Sequence, residues 1–339
     1  MGARGYGVRV AEVAVDPTGE REPFSVRVRS AGWLGEVTGW IGARVAEAGR
    51  ELTGPIEQRR VRPWSTQLVA PTDHGLLWFK ANCAPMAFEA ALHRLLAELM
   101  PSGIAAPLAV DAERGWLLTA DRGPTLGDDH QPTLADWRFV VGQAARLQRQ
   151  LAQHREALLG TGLPDCSPRS VPERFDAVLR QLRSLPAGHP GRLSADEAAS
   201  LAGQRDRVAA AAAELAAATL PVTLQHGDLH PRNVFAADRS QFDFGDAQWA
   251  AAVEVLCVPQ AVVEDGGEVP WAEVLDAYAT VWDDLASAAE LRSQIAAAAV
   301  TNPVNRAETW LAALAEATPG EAADWGEAPR RQLLRLLDP

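Results

Sequence analysis

Apolar positions fall into two regimes along the chain. Between residues 56 and 120 they alternate, or run in short stretches bounded by turn residues, as half-buried strands require. Strands are predicted at 56–61, 66–70, 76–80, 107–111 and 116–120. The turn Pro71-Thr72-Asp73-His74-Gly75 predicts a hairpin between the second and third. A helix is predicted at 85–99, with Phe88, Ala91, Leu92, Leu95, Leu96 and Leu99 along one side. The break Asp121-Arg122-Gly123-Pro124 suits a linker. Beyond it helical spacing dominates: 133–154, 171–185, 195–218, 251–264, 271–290, 291–300, 305–317 and 329–337. Three short strand-like runs, 222–225, 234–236 and 241–242, interrupt the helices. No internal repeat is present.

Ahead of the first strand the pattern is mixed. Val8, Val10 and Val13, then Phe24, Val26 and Val28, alternate and suggest an added hairpin or a frayed extension. From 34 to 52, Leu34, Val37, Ile41, Val45 and Ala48 recur at helical spacing, and Gly54-Pro55 is expected to end that helix. The predicted organisation is an extension with a helix (1–54), a sheet lobe (55–121) and a helical lobe (122–339). The expected fold class is α+β, two-lobed, with a mostly antiparallel sheet and one main helix in the first lobe.

Composition narrows the functional classes. The net charge is −12, which argues against a protein that tracks nucleic-acid phosphates. The three cysteines, Cys83, Cys166 and Cys257, are far apart and odd in number, so neither a disulfide framework nor a structural zinc site is expected. No apolar run reaches the roughly 18 residues of a membrane helix, and residues 1–10 lack the apolar core of a signal peptide. A cytoplasmic protein with no membrane partner is expected.

The chemistry is concentrated in His226-Gly227-Asp228-Leu229-His230-Pro231-Arg232-Asn233, followed after nine residues by Asp243-Phe244-Gly245-Asp246. Phosphoryl transfer from a nucleotide needs a carboxylate to orient the attacking hydroxyl, and an amide and a carboxylate to hold Mg²⁺. Asp228 suits the first role; Asn233 and Asp243 suit the second, as hard oxygen ligands. His226 is expected to brace the loop, and Pro231 to restrict it. The spacing matches the kinase catalytic loop and its D-F-G element. A polar turn between strands is the bland alternative. A mononuclear metallohydrolase using His226, Asp228, His230 and Asp243 is another, but it gives no role to Lys80.

Lys80 closes the third predicted strand, where a kinase needs a lysine on the α- and β-phosphates and a helix glutamate to orient it. Glu89 and Glu98 are both candidates, and Glu89, nearer the strand, is preferred. Between the first two strands, Arg62-Pro63-Trp64-Ser65-Thr66 contains no glycine, so a G-x-G-x-x-G loop is absent. Ser65 and Thr66 are candidates for phosphate contact, and Trp64 for shielding the site. Adenine or guanine would meet backbone groups near Thr119 and Ala120, which leaves ATP and GTP open as donor.

With these residues the chain resembles the aminoglycoside phosphotransferase and choline kinase-like family of small-molecule kinases, from about residue 55 to about 265. Gly227 after the histidine, and the block Asp243–Ala247, set that family apart from protein kinases. The resemblance implies two lobes joined by a hinge at 116–120. It implies Asp228 as base, Asn233 and Asp243 as magnesium ligands, Lys80 as the phosphate-binding lysine and Glu89 as its partner. Two departures stand out: Arg232 in place of the usual glycine, and the N-terminal extension.

The same resemblance implies a hydroxyl acceptor: an aminoglycoside or other antibiotic, choline, an amino sugar or maltose. An antibiotic is the expected acceptor. A metabolic sugar, amino-sugar or nucleoside kinase is the alternative, and a non-catalytic binding protein a third. Candidate acceptor contacts lie in the late helices, among the acidic residues Glu264, Asp265, Glu268, Glu273, Asp276, Asp283, Asp284 and Glu308. Trp249, Trp271, Trp282 and Trp310 are candidates for stacking.

Overall fold

The computed structural model describes residues 22–338. Val8, Val10 and Val13, and the hairpin suggested for them, lie outside the described residues. Phe24, Val26 and Val28 form no strand: Phe24–Arg27 is a single helical turn. Phe24 and Val28 lie four apart and are both buried, while Val26 is exposed. Period-2 alternation and i, i+4 spacing coincide over so short a run, and packing chose the second.

Five antiparallel strands form the first sheet: β1 (Glu57–Val61), β2 (Ser65–Thr72), β3 (Gly75–Asn82), β4 (Ala109–Asp111) and β5 (Trp116–Ala120), in the order β1-β2-β3-β5-β4. The β2–β3 hairpin is tighter than predicted. Thr72 pairs with Gly75 across Asp73-His74, and Gly75 takes φ +96°. Alternation on β3 separates core from cleft: Leu77, Phe79 and Ala81 are buried on one face, and Trp78 and Lys80 line the cleft on the other. The buried face packs on the helix Ala31–Glu47 through Val37, Ile41 and Val45. Trp33, Trp40, Phe79 and Trp116 meet there edge to face at 5.6–6.3 Å. That helix ends before Gly49, whose φ of +68° suits a terminator, not at Gly54-Pro55. Leu52 instead bridges to Thr72 of β2.

Phe88–Leu99 crosses behind the sheet, and its Leu92, Leu96 and Ala97 join a core with Leu147, Leu224, Phe244 and Trp249. One apolar cluster therefore ties the sheet lobe to the loop that follows Asp243. The helical lobe carries β6 (Val222–Gln225) paired with β7 (Gln248–Ala251). The runs predicted at 234–236 and 241–242 shrink to isolated bridges: Val234 with Gln241, Phe235 with Thr125 and Gln241 with Ile104.

The predicted helix 195–218 is two helices, Ala195–Ala202 and Arg205–Ala216, broken at Gly203. The helix predicted at 271–290 stops at Trp282. Conversely, 291–300 and 305–317 are one helix, Ala288–Ala313, running through Pro303. Proline inside a helix costs about 3 kcal/mol and normally ends it. Here every residue from Thr301 to Arg306 is buried. Thr301 Oγ1 and Asn305 Nδ2 both donate to the buried Glu254 carboxylate at 2.8 Å, which holds the turn together across the proline.

Candidate active site

β3 delivers Lys80 into the cleft, and the first turn of Phe88–Leu99 delivers Glu89 opposite it. Lys80 Nζ donates to Glu89 Oε1 at 2.8 Å and to Asp243 Oδ1 at 2.6 Å. Glu89 is buried and fully engaged. Asn82 Nδ2 donates to its Oε2 at 2.5 Å, and the backbone N–H of Phe244 donates to its Oε1 at 3.1 Å. Glu98, the other candidate, is exposed on the far side of the helix. Burial alone would lower the Lys80 pKa; the carboxylates of Asp243 and Glu89 outweigh it and hold the ammonium well above its usual range. Burial would likewise raise Asp243, but the Lys80 charge overrides it and holds this carboxyl at about 2.

The loop after β6 is fixed by close backbone packing. Gly227 has φ +81°, and a Cβ there would lie 2.0 Å from the carbonyl oxygen of Asp246. Only glycine allows the two loops to approach so closely. The Nε2–H of buried His226 donates to the Phe242 carbonyl (3.0 Å), and its ring lies 4.8 Å from that of Phe244. Burial lowers its pKa, so it is neutral, with Nε2–H as the donor. It braces the loop through this bond. Among the described residues no three His, Cys, Asp or Glu side chains gather as metal ligands, so the four residues of a mononuclear hydrolase are not assembled.

Asp228 lies across the cleft from Lys80. His230 Nε2 is 3.3 Å from its Oδ2. Burial raises the Asp228 pKa, but the hydrogen bond with His230 and the charge of Arg306 bring it below the ordinary carboxylate value. His230 is raised in turn, chiefly by Asp228 against the effect of its burial. Asn233 donates its amide to the Asp228 carbonyl at 2.8 Å. That commits its nitrogen and leaves Oδ1 as an oxygen ligand. Asp243, held at φ +64°, ψ +64°, uses Oδ1 on Lys80, and among the described residues its Oδ2 has no protein partner. An unusual left-handed backbone at a non-glycine residue is typical of a functional position. Two free hard oxygens on adjoining loops fit a magnesium ion.

Ser65 begins β2, and among the described residues its buried Oγ has no partner. It lines a cavity of about 180 Å³ together with Lys80, Asp228 and Asp243. The Thr66 hydroxyl points elsewhere, donating to the Arg60 carbonyl at 2.9 Å. Thr119 and Ala120 line a second cavity, of about 370 Å³, between the sheet and the 121–124 connection, with Phe242 and Asp243 at its inner end. Trp249 and Trp282 are core residues, and Glu308 is engaged by Arg174. Trp310 alone of the four candidate tryptophans reaches the smaller cavity. Arg232 is largely exposed beside Asp128.

Sequence reading missed Arg306. It arrives on Ala288–Ala313, is almost buried, and donates to Asp246 Oδ2 at 3.0 Å beside Asp228. Its only signal was a charged residue three positions after a proline in an alanine-rich helix.

The sequence pattern described as the phosphotransferase enzyme family (APH) matches residues 80–291. No curated protein sequence gives a match. Among solved structures the chain is similar to a macrolide 2'-phosphotransferase type I, at 16% identity over 90% of this chain and 97% of that one, with a TM-score of 0.54. It is also similar to a macrolide 2'-phosphotransferase from Brachybacterium faecium, at 20% identity, 88% and 98% coverage and a TM-score of 0.53. An ethanolamine kinase from Plasmodium vivax aligns at 10% identity, 93% and 94% coverage and a TM-score of 0.58. At these identities the likeness is one of fold, and it spans both lobes. Among the described residues no helix is long and apolar enough to cross a membrane. The chain belongs to the phosphotransferase enzyme family, whose members move a nucleotide's phosphate to a hydroxyl of a small molecule.

Proposed function

We propose that the protein transfers the γ-phosphate of ATP or GTP to a small-molecule hydroxyl, with Asp228 as the group that receives the hydroxyl's hydrogen bond. The observation that carries this reading is the Lys80 ammonium between Glu89 and Asp243, with Asp228 across the same cleft. Lys80 would hold the α- and β-phosphates, with the free Ser65 hydroxyl beside them. Asn233 Oδ1 and Asp243 Oδ2 would hold Mg²⁺, which when bound neutralises phosphate charge. Asp228 is kept ionised by His230 and Arg306, so it orients the hydroxyl and accepts its proton late, as positioning-dominated transfer requires. The base would sit in the larger cavity against Thr119 and Ala120.

In this reading residues 55–121 form the nucleotide lobe and 122–339 the acceptor lobe, with 1–54 as an extension whose helix Ala31–Glu47 backs the sheet. The setting is the cytoplasm, where nucleoside triphosphates are available. An antibiotic acceptor draws support from fold likeness to macrolide phosphotransferases and to a spectinomycin phosphotransferase solved with ADP. A metabolic acceptor draws support from fold likeness to an ethanolamine kinase. The test is ADP or GDP release across hydroxyl acceptors, with nucleotide binding followed by thermal shift. Absence of both turnover and nucleotide binding would sink the kinase reading in favour of a non-catalytic protein.

A further inference from the structure

In kinases a glycine-rich turn between the first two strands covers the nucleotide phosphates. Its counterpart between β1 and β2, Arg62-Pro63-Trp64-Ser65, is poorly made for that task. The Arg62 N–H is spent on the Ser65 carbonyl at 2.8 Å, and Pro63 has no N–H to give. The tip is also tied down. Trp64 stands edge-on to Trp310 at 5.5 Å and to Trp325 at 5.2 Å, and its carbonyl accepts from the Cys83 N–H at 2.9 Å. Side chains are left to supply what these amides do not.

The sheet register shows which ones. Lys80 of β3 pairs with Gln67 of β2, and Gln67 pairs with Arg60 of β1. Directly opposed residues in a sheet share a face, so the three form one row across the roof of the cleft. The base cavity lies against Thr119 and Ala120 of β5, on the other side of β3. A nucleotide entering there passes under Lys80 with its α- and β-phosphates and points its terminal phosphate toward β2 and β1. Neighbouring strands lie about 4.8 Å apart, which puts Arg60 about 10 Å beyond Lys80 along that line. Arg60 lines the same cavity of about 180 Å³ as Lys80, Asp228 and Asp243, and so does Ser65, 1% exposed and with its Oγ unpartnered among the described residues. Three cations line this cavity. Lys80 is shared by Glu89 and Asp243, and Arg306 bonds Asp246. Arg60 pairs with no carboxylate among the described residues, whereas nearby Arg59 pairs with Glu57 at 2.8 Å and the Arg62 guanidinium lies 5.6 Å from the Trp325 ring centre.

We propose that Arg60 is the cation that receives the terminal phosphate of the nucleotide, with the Ser65 hydroxyl beside it, in place of the amides of a glycine-rich turn. The proposal rests on the phosphotransferase reading above and adds a residue to it. A guanidinium suits the position because its planar fork bonds two phosphate oxygens at once and its charge is permanent. As transfer spreads charge over the equatorial oxygens of the phosphoryl group, Arg60 meets that charge from the roof while Asp228 holds the acceptor hydroxyl from the floor.

The test compares two ligands by titration calorimetry on the full chain with Mg²⁺: a non-hydrolysable triphosphate analogue and the diphosphate of the same base. Arg60→Gln should weaken the triphosphate at least tenfold, the scale of one lost charge-assisted hydrogen bond, and leave the diphosphate within twofold. Arg60→Lys keeps the charge without the fork and should recover part of the loss. Arg60 is exposed, so the melting temperature of Arg60→Gln should stay near wild type; if that variant fails to fold, Arg60→Lys carries the test with a smaller loss confined to the triphosphate. Arg59→Gln removes the same charge one residue away and should change neither affinity. Equal weakening of both ligands by Arg60→Gln, or no weakening of either, would overturn the proposal. So would a matching loss in Arg59→Gln, which would make the effect one of overall charge. Wild-type protein that binds neither ligand would instead overturn the underlying kinase reading.

Discussion

The two ends of the cleft are built on different physical principles. The hinge end is a larger cavity of about 370 Å³ whose wall sets apolar side chains, among them Trp78, Leu117, Phe235 and Phe242, beside Thr119 and Ala120 of β5. It can recognise a flat base by shape and by backbone hydrogen bonds, which almost any residue supplies. The phosphate end is about 180 Å³ and walled by ionised groups. Each of its central charges is paired beforehand, so the field that meets the nucleotide is set before it arrives. Preorganised charge in a water-poor site is where most of the rate enhancement of such chemistry originates. The contrast teaches that side-chain identity should matter greatly at one end and little at the other.

Asp228→Ala makes the sharpest break in this comparison. Turnover should fall about a thousandfold, within the usual range for losing a positioned acid–base group, while nucleotide affinity by titration calorimetry changes only a few-fold. Normal turnover would remove Asp228 from the chemistry. Gly227→Ala tests the packing that supports Asp228. Its Cβ would collide with the Asp246 backbone at a positive φ, so unfolding should become easier by roughly 2–4 kcal/mol. A wild-type melting temperature would show that the close approach is not required.

A third prediction concerns the support behind Arg306. Glu254 is buried, and desolvation pushes it up to about 7, partly offset by its bonds from Asn305 and Thr301. Between about pH 5 and 7 the folded state then holds a proton that the unfolded chain has released. Stability therefore falls as pH rises through that window, by about 1.4 kcal/mol per unit at most. Relative to Glu254→Gln, the wild type should lose stability from pH 5 to 8; parallel denaturation curves at both pH values would count against it. The smallest effect belongs to the hinge end. Thr119→Val should leave nucleotide KM within about twofold, the size of a ~0.5 kcal/mol change. A tenfold rise would mean that this end, too, relies on a particular side chain.

Where sequence reading succeeded, the chain itself held the parts together. Asp228 and Asn233 are five apart on one loop, and Lys80 sits on a strand whose alternation decides which face it points from. Where it failed, the deciding contacts were distant or burial overrode local preference. Pro303 looked like a helix end, yet bonds to Glu254 carry the helix through it. The helix over 34–52 was drawn too long because Leu52 fits its spacing, although Leu52 instead bridges to a strand.

The sequence by itself determined the fold class, the division into a sheet part and a helical part, and the adjoining loops that carry Asp228, Asn233 and Asp243, because periodicity and short spacings are local properties. The tertiary structure put Glu89, already preferred for its place near the strand, on Lys80, and it alone decided that Arg306 stands beside Asp228. It alone brought Trp64 of the β1–β2 turn against Trp310 and Trp325. Those contacts join residues up to some 260 positions apart, and no local pattern encodes which distant faces will dock.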